Sequence, residues 1–220
     1  MMTQKDLLTF LFADLAGFTA LTETHGDDNA TDVAARFYDL AHTSLTGEAR
    51  LIKTIGDAVM IVTSEPPAAV STALRLAAII HAELGFPAVR IGLHSGSAVE
   101  RSGDYFGAAV NLAARITAYA RSDQILCTNA VAGSIRNLNL AVIHSAGIVS
   151  FKNIAQPVAL FELEDLQQHM THRVIDPVCR MGLDPDTAPA RLPFRDRLYH
   201  FCSFACAQKF AQAPEIYAGS

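Results

Sequence analysis

Asp14 closes the apolar run Leu7-Leu-Thr-Phe-Leu-Phe-Ala13, and Asp57 stands between Leu51-Ile-Lys-Thr-Ile55 and Ala58-Val-Met-Ile-Val62. Each carboxylate therefore sits where an apolar strand meets a turn. A hard divalent cation such as Mg²⁺ takes oxygen ligands, one or two of them carboxylates, and leaves the rest of its sphere to water and phosphate. Two strand-end carboxylates suggest a two-metal site for phosphate chemistry. Asn111 and Arg115 lie four apart in a run free of Pro and Gly, so a helix puts an amide and a guanidinium on one face. That donor-rich patch suits a phosphate undergoing substitution. Farther along, Cys179, Cys202 and Cys206 offer three thiolates suited to Zn²⁺ or a softer metal, with Cys202 and Cys206 facing one way from the start of a helix. The fourth position is open among His200, Asp176 and a water.

The elements that must position these groups follow from the hydrophobic pattern. Residues 7–13 read as a strand and 29–45 as an amphipathic helix through Val33, Phe37, Leu40 and Ala41. A hairpin over 51–62 turns at Gly56-Asp57, and Pro66-Pro67 opens the next helix. Val89, Ile91 and Leu93 alternate with Arg90, Gly92 and His94 as in a half-buried strand. A helix over 108–120, a strand at 124–128, a helix from Asn129 and two final strands complete this part. The order predicts an α/β (α+β) fold of the ferredoxin-like, split βαβ kind, with helices on one face of a mainly antiparallel sheet. His94 is assigned no chemistry, and Cys127, in an apolar strand, reads as a small buried hydrophobe.

Composition narrows the function. The 220 residues are 50% hydrophobic and 18% charged with a net charge of −5, which fits a globular chain and argues against nucleic acid as a partner. The run at 7–13 is too short to span a membrane and lacks the flanks of a signal peptide, so a cytoplasmic location with no membrane partner is expected. Of four cysteines, three fall in the last fifth of the chain, where thiolate ligands read better than disulfides.

Taken together, Phe12-Ala-Asp14-Leu-Ala-Gly-Phe-Thr19, Lys53-Thr-Ile-Gly-Asp57, Arg90-Ile-Gly-Leu-His-Ser-Gly96 and Asp104-Tyr-Phe-Gly107…Asn111-Leu-Ala-Ala-Arg115 resemble the class III nucleotidyl cyclase catalytic domain. The resemblance implies a homodimer whose sites lie between protomers, converting ATP to 3′,5′-cyclic AMP and pyrophosphate in intracellular signalling. Asp14 and Asp57 match the aspartates that hold two Mg²⁺ or Mn²⁺ ions per site. Lys53 and Asp104 match the purine-reading pair. A lysine donating to adenine N1 and an aspartate accepting from the exocyclic amine favour ATP, where guanylate members usually carry Glu and Cys. Asn111 matches the ribose-orienting residue, and Arg115 the one stabilising charge on the α-phosphate. Each has an ordinary alternative: a turn-forming Asp57, a solvated Lys53, an exposed Asn111, an Arg115 paired with a nearby acid. At the level of the whole chain, the alternative is a cyclase-fold dimer of low activity acting as a nucleotide- or metal-responsive regulatory module.

The polar stretch at 166–172 reads as a linker between a cyclase-like domain over 1–165 and a small domain over 173–220. The latter resembles a YHS domain, a TRASH-like metal-binding module, through Asp176-Pro-Val-Cys179 and Tyr199-His-Phe-Cys202-Ser. The resemblance implies Zn²⁺ or another thiophilic metal there, structural or modulating the cyclase. Two departures concern backbone: Asn153 and Arg180 stand where relatives have glycine. A third, Gly47-Glu-Ala49 in place of paired glycines, bears on the entry to the hairpin.

Overall fold

The computed structural model describes residues 7–166 and 173–218; the expected linker therefore lies, from residue 167 on, outside the described residues. The first unit runs β1 (Leu7–Leu15), α1 (Phe18–His25), α2 (Asp27–Thr43), β2 (Arg50–Ile55), β3 (Ala58–Thr63), α3 (Pro66–Ala82) and β4 (Val89–Ser97). It continues through β5 (Val99–Arg101), β6 (Asp104–Phe106), α4 (Ala108–Tyr119), β7 (Ile125–Thr128), α5 (Asn129–Ile135), β8 (Val142–Val149) and β9 (Val158–Glu164). The second unit holds β10 (Val174–Ile175), β11 (Gly182–Leu183), β12 (Ala190–Phe194), β13 (Arg197–Phe201), α6 (Phe204–Gln212) and α7 (Pro214–Tyr217).

Seven strands form one sheet in the order β2-β3-β1-β4-β7-β9-β8, antiparallel except where β4 meets β7. The first four strands have the split βαβ order expected from the sequence. The layering is richer than expected. Leu11, Ala13 and Leu15 of β1 enter a core with α2, α3 and α5, whereas Phe10 and Phe12 enter a second core with α4. Helices thus cover both faces, and α4 corrects the one-face expectation. A strand buried on both sides reads as a continuous apolar run, which is what Phe10–Ala13 is. Gly92 on β4 lets α4 come close: a Cβ there would lie 2.4 Å from the Thr117 backbone nitrogen. Thr117 Oγ1 also donates to the Phe12 carbonyl, 3.2 Å away.

The second unit builds a small aromatic core in which Phe210 packs against Phe194, Tyr199, Phe201 and Tyr217. This core is shared with the first unit, since Leu21 of α1 and Ala30 of α2 are buried in it beside Val178, Phe201 and Phe210. Backbone bonds seam the two together: Gly85 N–H to Gly182 O at 2.8 Å, Gly182 N–H to Phe86 O at 2.9 Å and Ala88 N–H to Arg180 O at 2.9 Å. Asn153 (φ 64°) and Arg180 (φ 62°) both adopt the left-handed conformation that glycine would take, so neither departure breaks its turn.

Candidate active site and metal centre

β1 continues through Asp14 to Leu15, so Asp14 is paired on both sides, opposite Ala58 of β3 and Arg90 of β4. Asp57 occupies the two-residue turn between β2 and β3, and its carbonyl accepts the Leu15 N–H at 3.1 Å. That bond ties the turn to the end of β1 and brings the two carboxylates together. Burial pushes the Asp14 carboxyl up to about 6, the Arg90 guanidinium opposes the rise, and the neighbouring Asp57 charge adds to it. Arg90 Nη2 donates to Asp14 Oδ2. Two adjacent carboxylates in half-buried surroundings resist joint ionisation until a cation neutralises them, so the donor set fits a hard divalent ion.

A second pair forms between elements distant in sequence. Lys53 Nζ on β2 lies 2.6 Å from Asp104 Oδ2 and 2.8 Å from Oδ1 on β6. The lysine, and then the Tyr105 N–H at 2.7 Å, hold the Asp104 carboxyl below its usual range. Arg50 Nη2 donates to the Tyr105 hydroxyl at 3.0 Å, tying the same two elements together beneath the pair. On α4, Asn111 is exposed and Arg115 half-buried, one helical turn apart. Among the described residues, no hydrogen bond or ion pair engages either side chain, which leaves their donors for another molecule.

In the second unit Cys179 Sγ lies 3.4 Å from Cys202 Sγ, which is 3.6 Å from Cys206 Sγ. The fourth group is His25, from the last turn of α1, with Nε2 3.4 Å from Cys202 Sγ and 3.8 Å from Cys206 Sγ. All four ligand atoms lie within 4.8 Å of one another. Tetrahedral zinc, with Zn–S of about 2.3 Å and Zn–N of about 2.0–2.1 Å, requires edges of about 3.8 Å between sulfurs and about 3.6 Å from sulfur to nitrogen. The two sulfur–nitrogen edges bracket the second value, and the two sulfur–sulfur edges, at 3.4 and 3.6 Å, fall slightly inside the first, so the set fits such an ion. Neither His200 nor Asp176, the two side chains expected as alternatives, joins it. Asp176 is fully buried, and its carboxylate accepts N–H bonds from Val178 at 2.8 Å, Cys179 at 3.4 Å and Cys202 at 2.8 Å, orienting both cysteine-bearing turns. Hydrogen bonds from Cys179 and Cys202 draw the Cys206 thiol well below its usual range.

Residues 1–164 match the family described as the adenylate and guanylate cyclase catalytic domain. The chain belongs to that family. Residues 174–220 match the YHS domain. A pH-sensitive adenylate cyclase of Mycobacterium tuberculosis is 40% identical over 124 residues, 56% of this chain and 31% of its own length. The chain spans 31–32% of the length of the curated adenylate cyclases it matches. A copper-transporting P-type ATPase of Rhizobium leguminosarum bv. viciae is 50% identical over 44 residues, 20% of this chain and 5% of its own. In fold, the chain is similar to an adenylate cyclase from Trypanosoma brucei solved in its monomeric state, at 22% identity and a TM-score of 0.67, covering 74% of this chain and 90% of that one. No helix among the described residues is long and apolar enough to cross a membrane.

Two members of this cyclase domain's sites escape a reading of the sequence. Arg90 passes as the solvent-facing residue of a half-buried strand, yet register sets it against Asp14. His25 lies 177 residues from Cys202, on a short threonine-rich helix with little apolar periodicity. The usable signal was arithmetic: three thiolates leave a tetrahedral site one ligand short, and the chain has eight histidines to supply it.

Proposed function

We propose that the chain is an adenylate cyclase that converts ATP to 3′,5′-cyclic AMP and pyrophosphate at sites shared between two protomers. The observation that carries this reading is the Lys53–Asp104 pair, a cation and a carboxylate brought to 2.6 Å from separate elements. Side by side they complement adenine, whose N1 accepts and whose amine donates; guanine offers the reverse at those positions. Asp14 and Asp57 would hold two Mg²⁺ or Mn²⁺ ions, which favour ionisation of the ribose 3′-hydroxyl and brace the triphosphate. Asn111 of the other protomer orients the ribose. As the 3′-oxygen bonds to the α-phosphorus, the bond to the bridging oxygen breaks and pyrophosphate leaves with its electron pair. Arg115 stabilises the charge that grows on the α-phosphate, and the hydroxyl proton passes to solvent.

The test is product formation by the purified chain given ATP or GTP with Mn²⁺. Cyclic AMP from ATP, with little product from GTP, is expected, and Lys53→Ala should erode that preference at least about tenfold. A nucleotide-binding dimer that makes no cyclic product would refute the reading and leave the regulatory module in its place.

A further inference from the structure

We infer that one thiophilic ion, held by Cys179, Cys202, Cys206 and His25, clamps the second unit onto the catalytic one and fixes the strand end that carries Asp14. Three ligands come from one unit and the fourth from the other, so filling the site joins the two. His25 ends α1, an eight-residue helix about 12 Å long whose first residue follows Gly17. Gly17 is three residues past Asp14. Gly17 also sits against the second unit, since a Cβ there would lie 2.7 Å from Arg180 Cγ. A second route starts at Cys179. Its neighbour Arg180 accepts the Ala88 N–H, and Ala88 accepts the Ala16 N–H at 2.8 Å. Two residues beyond Ala88, Arg90 pairs with Asp14. The ion would therefore brace both sides of the Asp14 segment, through α1 on one and through the start of β4 on the other. Lys209 on α6 adds a contact to Glu23 on α1 at 3.6 Å. The effect on turnover rests on the cyclase reading; the clamp does not.

The full-length chain, stripped of metal, would be titrated with Co²⁺ and Zn²⁺ alongside His25→Ala and His25→Cys. Wild type should show the intense visible bands of tetrahedral Co²⁺ with thiolate ligands. His25→Ala should bind at least about tenfold more weakly, as loss of even an outer-shell partner does. His25→Cys should restore tight binding with the altered spectrum of a four-thiolate site. In hydrogen exchange, Zn²⁺ should slow the α1 amides of wild type and His25→Cys but not of His25→Ala. Unchanged affinity and spectrum in a folded His25→Ala would overturn the ligand assignment, and α1 amides indifferent to Zn²⁺ in wild type would overturn the clamp. Cyclic AMP formation should respond to Zn²⁺ in wild type and not in His25→Ala; a flat wild-type response with slowed α1 exchange would remove the link to the active site. If neither protein makes cyclic AMP, the cyclase reading fails, while the spectra and the exchange still decide the clamp.

Discussion

The proposed sharing of each site between protomers predicts that two dead proteins make a live mixture. Asp57 sits in the β2–β3 turn and Arg115 on α4, and in the proposed dimer each site takes its carboxylates from one protomer and its arginine from the other. Asp57→Ala removes a proposed metal ligand from a half-buried turn and should leave folding nearly unchanged. Arg115→Ala removes the proposed transition-state donor, a loss of about 10²–10³ in turnover in comparable enzymes. Each variant alone should fall to about 1% of wild type or below. In an equal mixture with random reassortment about half the dimers are mixed. Each mixed dimer has one site with every group present and one missing both, so activity should recover to about a quarter of wild type per protomer. The assay is cyclic AMP formation after co-refolding, with differently tagged protomers to count mixed dimers. Recovery below a few per cent, with mixed dimers present at about half, would refute the division of the site between protomers.

Three further outcomes follow from packing and protonation. Gly92→Ala drives a methyl group into the α4 backbone, 2.4 Å from the Thr117 nitrogen, and should cost about 2–3 kcal/mol, read as a melting point lower by roughly 5 °C or more; an unchanged melting point would mean that α4 is not held this closely. Asp176→Asn replaces an acceptor-only carboxylate with an amide whose N–H groups face other N–H groups, so Zn²⁺ affinity should fall about 10- to 100-fold, and equal affinity in a competition titration would deny Asp176 its orienting role. His94 is held below its usual range by burial, with Nδ1 2.8 Å from Thr128 Oγ1. As pH falls below about 6.5 the unfolded chain takes up this proton before the folded one does, so stability declines on the acid side. His94→Asn should flatten that decline between pH 7 and 5 in denaturant melts, and parallel curves for the two proteins would remove His94 as the cause.

The boundary between what the residues announce and what they hide follows the range of the interactions. Asp57 could be placed from the sequence because a two-residue turn between two apolar runs is local, and Asn111 and Arg115 because helix spacing is local. The order of the first four strands could be read because a ferredoxin-like sheet follows from the sequence of elements. The second face was hidden. Residues 108–120 show an apolar stripe, but nothing in the stripe says which side of the sheet receives it. That choice rests on Gly92, which looks like an ordinary glycine until Thr117 is set against it. The same limit applies at the sites. Lys53 and Asp104 are each unremarkable in their own segments and meet only because β6 folds back towards β2. His25 lies beyond any local pattern, because strands β2 to β9 separate it in sequence from the cysteines. The cysteines, by contrast, announced a metal but not its setting. An incomplete ligand set in a small unit points to a missing partner elsewhere in the chain, and here that partner is on the helix that leads away from Asp14.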